Sequence, residues 1–186
     1  MDESGVRRWR WRRACLGARP HHHRHEGEAQ GVEQAAEAAI RTLIEWAGGV
    51  AKFISLTPPD WSFPLEALAA AIGPKTRLVA ITQMSNVTGT VVDVAAICAA
   101  ARARGVPVLV DGSQGAVHMP VDVQAMGCDF YAITGHKLYG PSGSGGLYVS
   151  PERMAEMRPF LGGGDMIREV TREAVTWNDP PMKFEA

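Results

Sequence analysis

Apolar positions recur along this chain with two different periods. Between Glu28 and Trp46, the residues Ala36, Ala39, Ile40, Leu43 and Ile44 fall at helical spacing, and Gly48-Gly49 closes the run. VAKFISL (50–56) then reads as a strand, Pro58, Pro59 and Asp60 as a turn, and PLEALAAAI (64–72) as a helix ended by Gly73-Pro74. TRLVAIT (76–82) is a continuous apolar run, the pattern of a strand buried on both faces. After the loop SNVTGT comes a helix over 92–105, with Asp93 near its start and arginines near its end, matching the helix dipole. Further strands are expected at 106–112, 129–135 and 145–150. A last helix over 151–157 has Pro at its first turn. Strands alternating with helices argue for an α/β fold, a mainly parallel sheet with flanking helices. In such sheets ligands bind beyond the carboxyl ends of the strands.

Composition changes this picture at one place. The 186 residues, 46% hydrophobic and 21% charged, suit one ordinary domain with a real core. The net charge of −1 gives no overall bias toward nucleic acid or an anionic membrane. Within residues 1–25, however, seven arginines stand against Asp2 and Glu3, and no apolar period holds for two turns. Residues 1–26 are therefore expected to be unstructured and foreign to the domain that follows, 27–186. The interleaved RRWRWRR could make electrostatic and stacking contacts with nucleic acid or a membrane surface. A seven-residue patch without a fold is weak ground for that, and neither partner is expected. Cys15, Cys98 and Cys128 have no paired short spacing, so no metal site is expected, and a reducing, cytoplasmic setting is the simplest. No run of 18 apolar residues is present.

The candidate chemistry sits at strand ends. Asp111 closes VPVLVDG, Gln114 follows three residues later, and Thr134-Gly135-His136-Lys137 closes DFYAITGHK ahead of the glycine-rich LYGPSGSGG. Taken singly, an Asp after a buried strand often caps a helix or binds a metal, a loop Lys is usually just solvated, and His118 reads as a packed core residue. Together, and in this order, they are the set that a pyridoxal-phosphate (PLP) enzyme needs. A lysine forms a Schiff base with the cofactor aldehyde, and a carboxylate keeps the pyridine nitrogen protonated. A donor near the phenolic oxygen and a polar group for the phosphate complete it.

SNVTGT, VLVDGSQGAVHMPVDVQAMGCDFYAITGHKLYGPSGSGGLYV and FLGGGDMI…VTWNDPPMKFEA resemble class V aminotransferase-fold proteins, and within them the Suf-type cysteine desulfurases. The resemblance covers about residues 75–186 closely and 50–74 loosely, and does not extend to 1–46. It implies part of the large domain of a fold type I PLP-dependent transferase. It also implies a role for each matching residue: Lys137 as the Schiff-base lysine, Asp111 on the pyridine nitrogen, Gln114 on the phenolic oxygen, Thr134 (usually Ser in the family) and His136 on the phosphate, and Asn86 on the substrate carboxylate. GGGDMI resembles a segment near the dimer-related active site. The implied reaction takes sulfur from L-cysteine, leaving alanine and an enzyme persulfide for iron–sulfur cluster assembly. The implied partners are a second copy of the chain and a sulfur-acceptor protein of the Suf system.

The departures from the family pattern are specific. His21, His22, His23 and His25 lack the context of the family's cofactor-stacking histidine, and its upstream phosphate loop has no match. The sequence ends at FEA, before the family's Gly-Thr-Pro segment and the small domain that bears the persulfide cysteine and a carboxylate-binding arginine. Cys98 and Cys128 are expected in the core, and none of the three cysteines has the context of a catalytic one. The chain is accordingly expected to be an internal part of such an enzyme, with a wrong start or shifted frame in its first segment. Another class V enzyme (an aminotransferase, epimerase or selenocysteine lyase) and an inactive remnant stay open as alternatives.

Overall fold

A computed structural model of the protein describes the backbone of residues 14–19, and residues 41–57, 59 and 62–185. The apolar runs form strands where their pattern places them: β2 (Val50–Ser55), β3 (Thr76–Thr82), β4 (Val108–Asp111), β5 (Phe130–Thr134) and β6 (Gly145–Val149). Val79, Val108 and Val110 are at most 1% exposed, which is the two-sided burial that continuous apolar runs require. The helices are α1 (Leu65–Ala71), α2 (Val94–Arg102), α3 (Gly115–His118) and α4 (Val123–Met126). Asp93 caps α2, its carboxylate accepting from the Ala96 N–H at 2.9 Å, and Arg102 stands in the last turn. Helix α2 turns Val94, Ile97, Cys98 and Ala101 inward. It packs against α1, whose Leu68 is 1% exposed, so that each buried aliphatic side chain contributes about 1.5–3 kcal/mol.

One strand departs from expectation. Ala14–Arg19 forms β1 and pairs in parallel with both β2 and β3. The unstructured reading of 1–26 therefore fails for these six residues. The reason is local: ACLGA is a short uncharged run between arginines, and a place between two parallel strands satisfies its backbone groups on both sides. Residues 1–13 and 20–26 lie outside the described residues, as does the expected helix before residue 41. Residues 41–46 are helical. The expected turn after β2 is bracketed by an antiparallel bridge between Thr57 and Ser62.

The sheet order is β2-β1-β3-β4-β5-β6, and β1 through β5 pair in parallel. The chain runs from β1 out to β2, then returns past β1 to β3. In open α/β sheets such a reversal marks the strand ends where ligands bind, here the carboxyl ends of β1 and β3.

Contacts divide the chain into two compact units, Met1–Leu147 and Tyr148–Ala186. In the second, Ser150 caps α5 (Pro151–Glu156), with Pro151 in its first turn. Lys183 Nζ closes the other end of α5, donating to the carbonyls of Met154 and Ala155 at 3.3 Å each. An antiparallel pair, β7 (Ile167–Val170) and β8 (Val175–Trp177), follows. The pair is tied to buried Met166 by the Asn178 N–H, which donates to the Met166 carbonyl at 2.9 Å. Among the described residues no helix is long and apolar enough to cross a membrane.

Candidate functional site

Parallel pairing brings three strand ends level. Asp111 stands in register with Thr82 on one side and Ala132 on the other. The Gln83 N–H extends the ladder by donating to the Asp111 carbonyl at 3.0 Å, and the Gly112 N–H does the same to Ala132 at 2.9 Å. Helix α3 packs against the 3-10 turn Gly135–Leu138. The Asp111–Gln114 and Thr134–Lys137 segments are thus neighbours at one end of the sheet. Asn86 lies in the loop leaving β3, exposed, within a tight turn built on Ser85. The Ser85 hydroxyl accepts from the N–H groups of Val87 at 3.2 Å and Thr88 at 3.1 Å.

Asp111 uses one carboxylate oxygen locally, Oδ1 accepting from the Ser113 N–H at 2.9 Å. It does not cap the following helix, whose N-cap is Gln114, without a side-chain capping bond. Gln114 Nε2 lies 3.1 Å from His118 Nε2, one helical turn on. With the amide nitrogen as donor, that contact uses His118 Nε2 as the acceptor. The expectation that His118 packs in the core is corrected here. Its ring is exposed and engages Gln114, because it sits at the end of a one-turn helix rather than beneath the sheet.

The lysine turn is shaped by glycine. The Gly135 N–H donates to the Ser144 carbonyl at 2.8 Å, and a β-carbon at Gly135 would overlap the Ser144 hydroxyl. Directly after Leu138, Tyr139 takes the left-handed conformation with φ 61°, reversing the chain. Lys137 is half-buried, and His136 is exposed. The Thr134 hydroxyl is buried and has no hydrogen-bond partner among the described residues. An orphaned buried hydroxyl costs about 1–3 kcal/mol, so this atom marks a place where a polar ligand group would be stabilising.

Two residues of the site were not foreseen in the sequence. Gln83 and Tyr131, 3% and 4% exposed, meet beneath the strand ends, the Tyr131 hydroxyl donating to Gln83 Oε1 at 2.5 Å. Burial, then the nearby Cys128 and Asp111, push the Tyr131 phenol above its ordinary pKa. Tyr131 sits within an apolar strand pattern and Gln83 just past one, so neither stands out by residue type. The cysteines behave as expected. Cys98 and Cys128 are buried, and burial pushes the Cys98 thiol up to about 12 and raises that of Cys128. The side chain of Cys15 lies outside the described residues.

Comparison with known proteins agrees with this geometry. A probable cysteine desulfurase of Xylella fastidiosa is 52% identical over 128 residues, covering 69% of this chain and 31% of its own length. A cysteine desulfurase of Dickeya dadantii is 53% identical over 156 residues, covering 83% of this chain and 38% of its own. The crystal structure of an Escherichia coli cysteine desulfurase superposes with a TM-score of 0.78 at 36% identity, over 94% of this chain and 41% of that one. The chain thus spans about a third of the length of the curated relatives it matches. The family model described as aminotransferase class-V matches residues 23–186. The expectation that the likeness does not extend to 1–46 is thereby corrected for residues 23–46, whose sequence carries no distinctive chemistry by which to read it. The chain belongs to the class-V aminotransferase family.

Proposed function

We propose that this chain carries the lysine-bearing part of the cofactor site of a PLP-dependent cysteine desulfurase. The observation that carries this reading is the buried Thr134 hydroxyl, without a hydrogen-bond partner among the described residues, three residues before Lys137 at a strand end. A hydroxyl both donates and accepts, which suits a phosphate oxygen. The residues present fit the cofactor. Thr134 and exposed His136 would hold the phosphate. Gln114, oriented through His118, would offer an amide N–H to the phenolic oxygen. Asp111, with Oδ2 making no hydrogen bond among the described residues, would keep a proton on the ring nitrogen. Lys137, half-buried on a turn kept small by glycines, would hold the cofactor aldehyde covalently. Asn86 would bind the substrate carboxylate. When bound, PLP supplies an electron sink for bond cleavage at an amino acid's carbon.

L-Cysteine as substrate follows from the relatives named cysteine desulfurase. Sulfur transfer to a Suf-type acceptor for iron–sulfur assembly, work as a homodimer and a cytoplasmic setting extend the same likeness. The test is a PLP titration followed by visible absorption. Wild-type chain should acquire a visible band that Lys137→Ala lacks. A band that survives the substitution would assign the cofactor to another group.

A further inference from the structure

Beneath the strand ends, a buried hydrogen-bonded pair has no role in the chemistry just described. The side chain of Gln83 makes two bonds among the described residues. Its Oε1 accepts from the Tyr131 hydroxyl at 2.5 Å, and its Nε2 donates to Met119 Sδ at 3.5 Å. Met119 is the residue that ends α3. The backbone of Gln83 holds the other end of the same segment, its N–H donating to the Asp111 carbonyl at 3.0 Å. The turn between these points rests directly on the pair. A β-carbon at Gly112 would overlap the Tyr131 ring, and one at Gly115 would overlap the Gln83 amide. Residues 111–119 are therefore gripped at both ends and braced from below at two glycines.

We propose that Gln83 and Tyr131 are positioning residues, which together set the height and orientation of the Asp111–Gln114 turn. They touch no substrate. They act through the Asp111 carboxylate and the Gln114 amide, whose placement decides how well the pyridine nitrogen and phenolic oxygen are met. Its cofactor arm rests on the PLP reading above; its structural arm does not. The pair works as a unit because both groups are buried. Removing the phenol alone orphans Gln83 Oε1, and removing the amide alone orphans the phenol. Each orphan must find a new partner by moving, and Gly112 and Gly115 leave no slack. Removing both leaves no unsatisfied group.

The experiment compares Tyr131→Phe, Gln83→Met and the double variant with wild type. In the ligand-free chain, amide hydrogen exchange over 112–118 should quicken about tenfold in each single variant, while β4 and β5 keep wild-type rates. In the double variant it should return most of the way to wild type, the non-additivity of two groups that satisfy each other, and its confinement to 112–118 is what a merely structural pair would not show. Titrated with PLP, each single variant should bind about tenfold more weakly, and the double variant close to wild type. Unchanged exchange over 112–118, equal acceleration of sheet and turn, or additive effects in the double variant would overturn the proposal. Unchanged PLP affinity in the single variants would overturn it as well. If wild type takes up no PLP, the cofactor reading fails, and the exchange pattern alone decides whether the pair positions the turn.

Discussion

Asp111 has one oxygen committed to the Ser113 N–H and the other without a donor among the described residues, so a substitution can separate its two roles. Asp111→Asn keeps an oxygen for Ser113 but loses the charge. A charge-assisted hydrogen bond is worth about 1.5–3 kcal/mol, so PLP affinity should fall roughly ten- to a hundredfold in a fluorescence or absorbance titration. Unchanged affinity would leave Asp111 as a turn residue only. The cysteines give a second residue-level expectation. With its thiol held at about 12, Cys98 is almost wholly protonated at pH 8 and should alkylate with iodoacetamide far more slowly than an unfolded-chain thiol of pKa 9.0. The folded state keeps the proton that the unfolded state loses, so this group contributes stability below pH 9 that disappears as pH rises from 9 to about 12. Urea unfolding over that window should show stability falling with pH. A flat profile together with fast alkylation would contradict the burial of Cys98. At this scale the sequence was legible where residue type declares chemistry, as at Asp111 and Lys137. It was silent at Gln83 and Tyr131, whose significance comes from a contact across 48 positions.

Glycine spacing ties the elements to the site. Gly112 ends the β4 ladder under the Tyr131 ring with no room for a β-carbon. Gly112→Ala should destabilise the fold by about 1–3 kcal/mol, a drop of several degrees in melting temperature for a chain of this size. It should also weaken PLP binding more than Gly73→Ala, where nothing lies within 4 Å. Equal behaviour of the two variants would mean that the strand end is looser than it stands here. Strands β3, β4 and β5 were readable because two-sided burial writes a continuous apolar run, and α2 because its cap and dipole residues agree with its period. Strands β7 and β8 escaped because they are largely exposed. In IREV only Ile167 is even half-buried, and their pairing is set by the Thr171–Ala174 turn rather than by an apolar face. Strand β1 escaped because flanking arginines hid five uncharged residues.

At the scale of the whole molecule, the likeness to cysteine desulfurases covers most of this chain but about a third of theirs. Sulfur transfer needs a thiolate held against the substrate. Cys98 and Cys128 are buried with raised pKa values, so neither described thiol can serve. This chain alone, given PLP, L-cysteine and a reductant, should release alanine at no more than a stoichiometric level. Repeated turnover that vanishes with Lys137→Ala would contradict this, and a Cys15→Ser variant would then show whether that thiol serves. The central claim, that Lys137 is the residue that holds the cofactor, has a direct measurement. The chain is saturated with PLP, reduced with sodium borohydride, digested and mapped by mass spectrometry. Its lysines are Lys52, Lys75, Lys137 and Lys183, each separable by peptide. The account predicts one phosphopyridoxyl group per chain, on Lys137. Label spread over the four lysines, or concentrated on any of the other three, would contradict it.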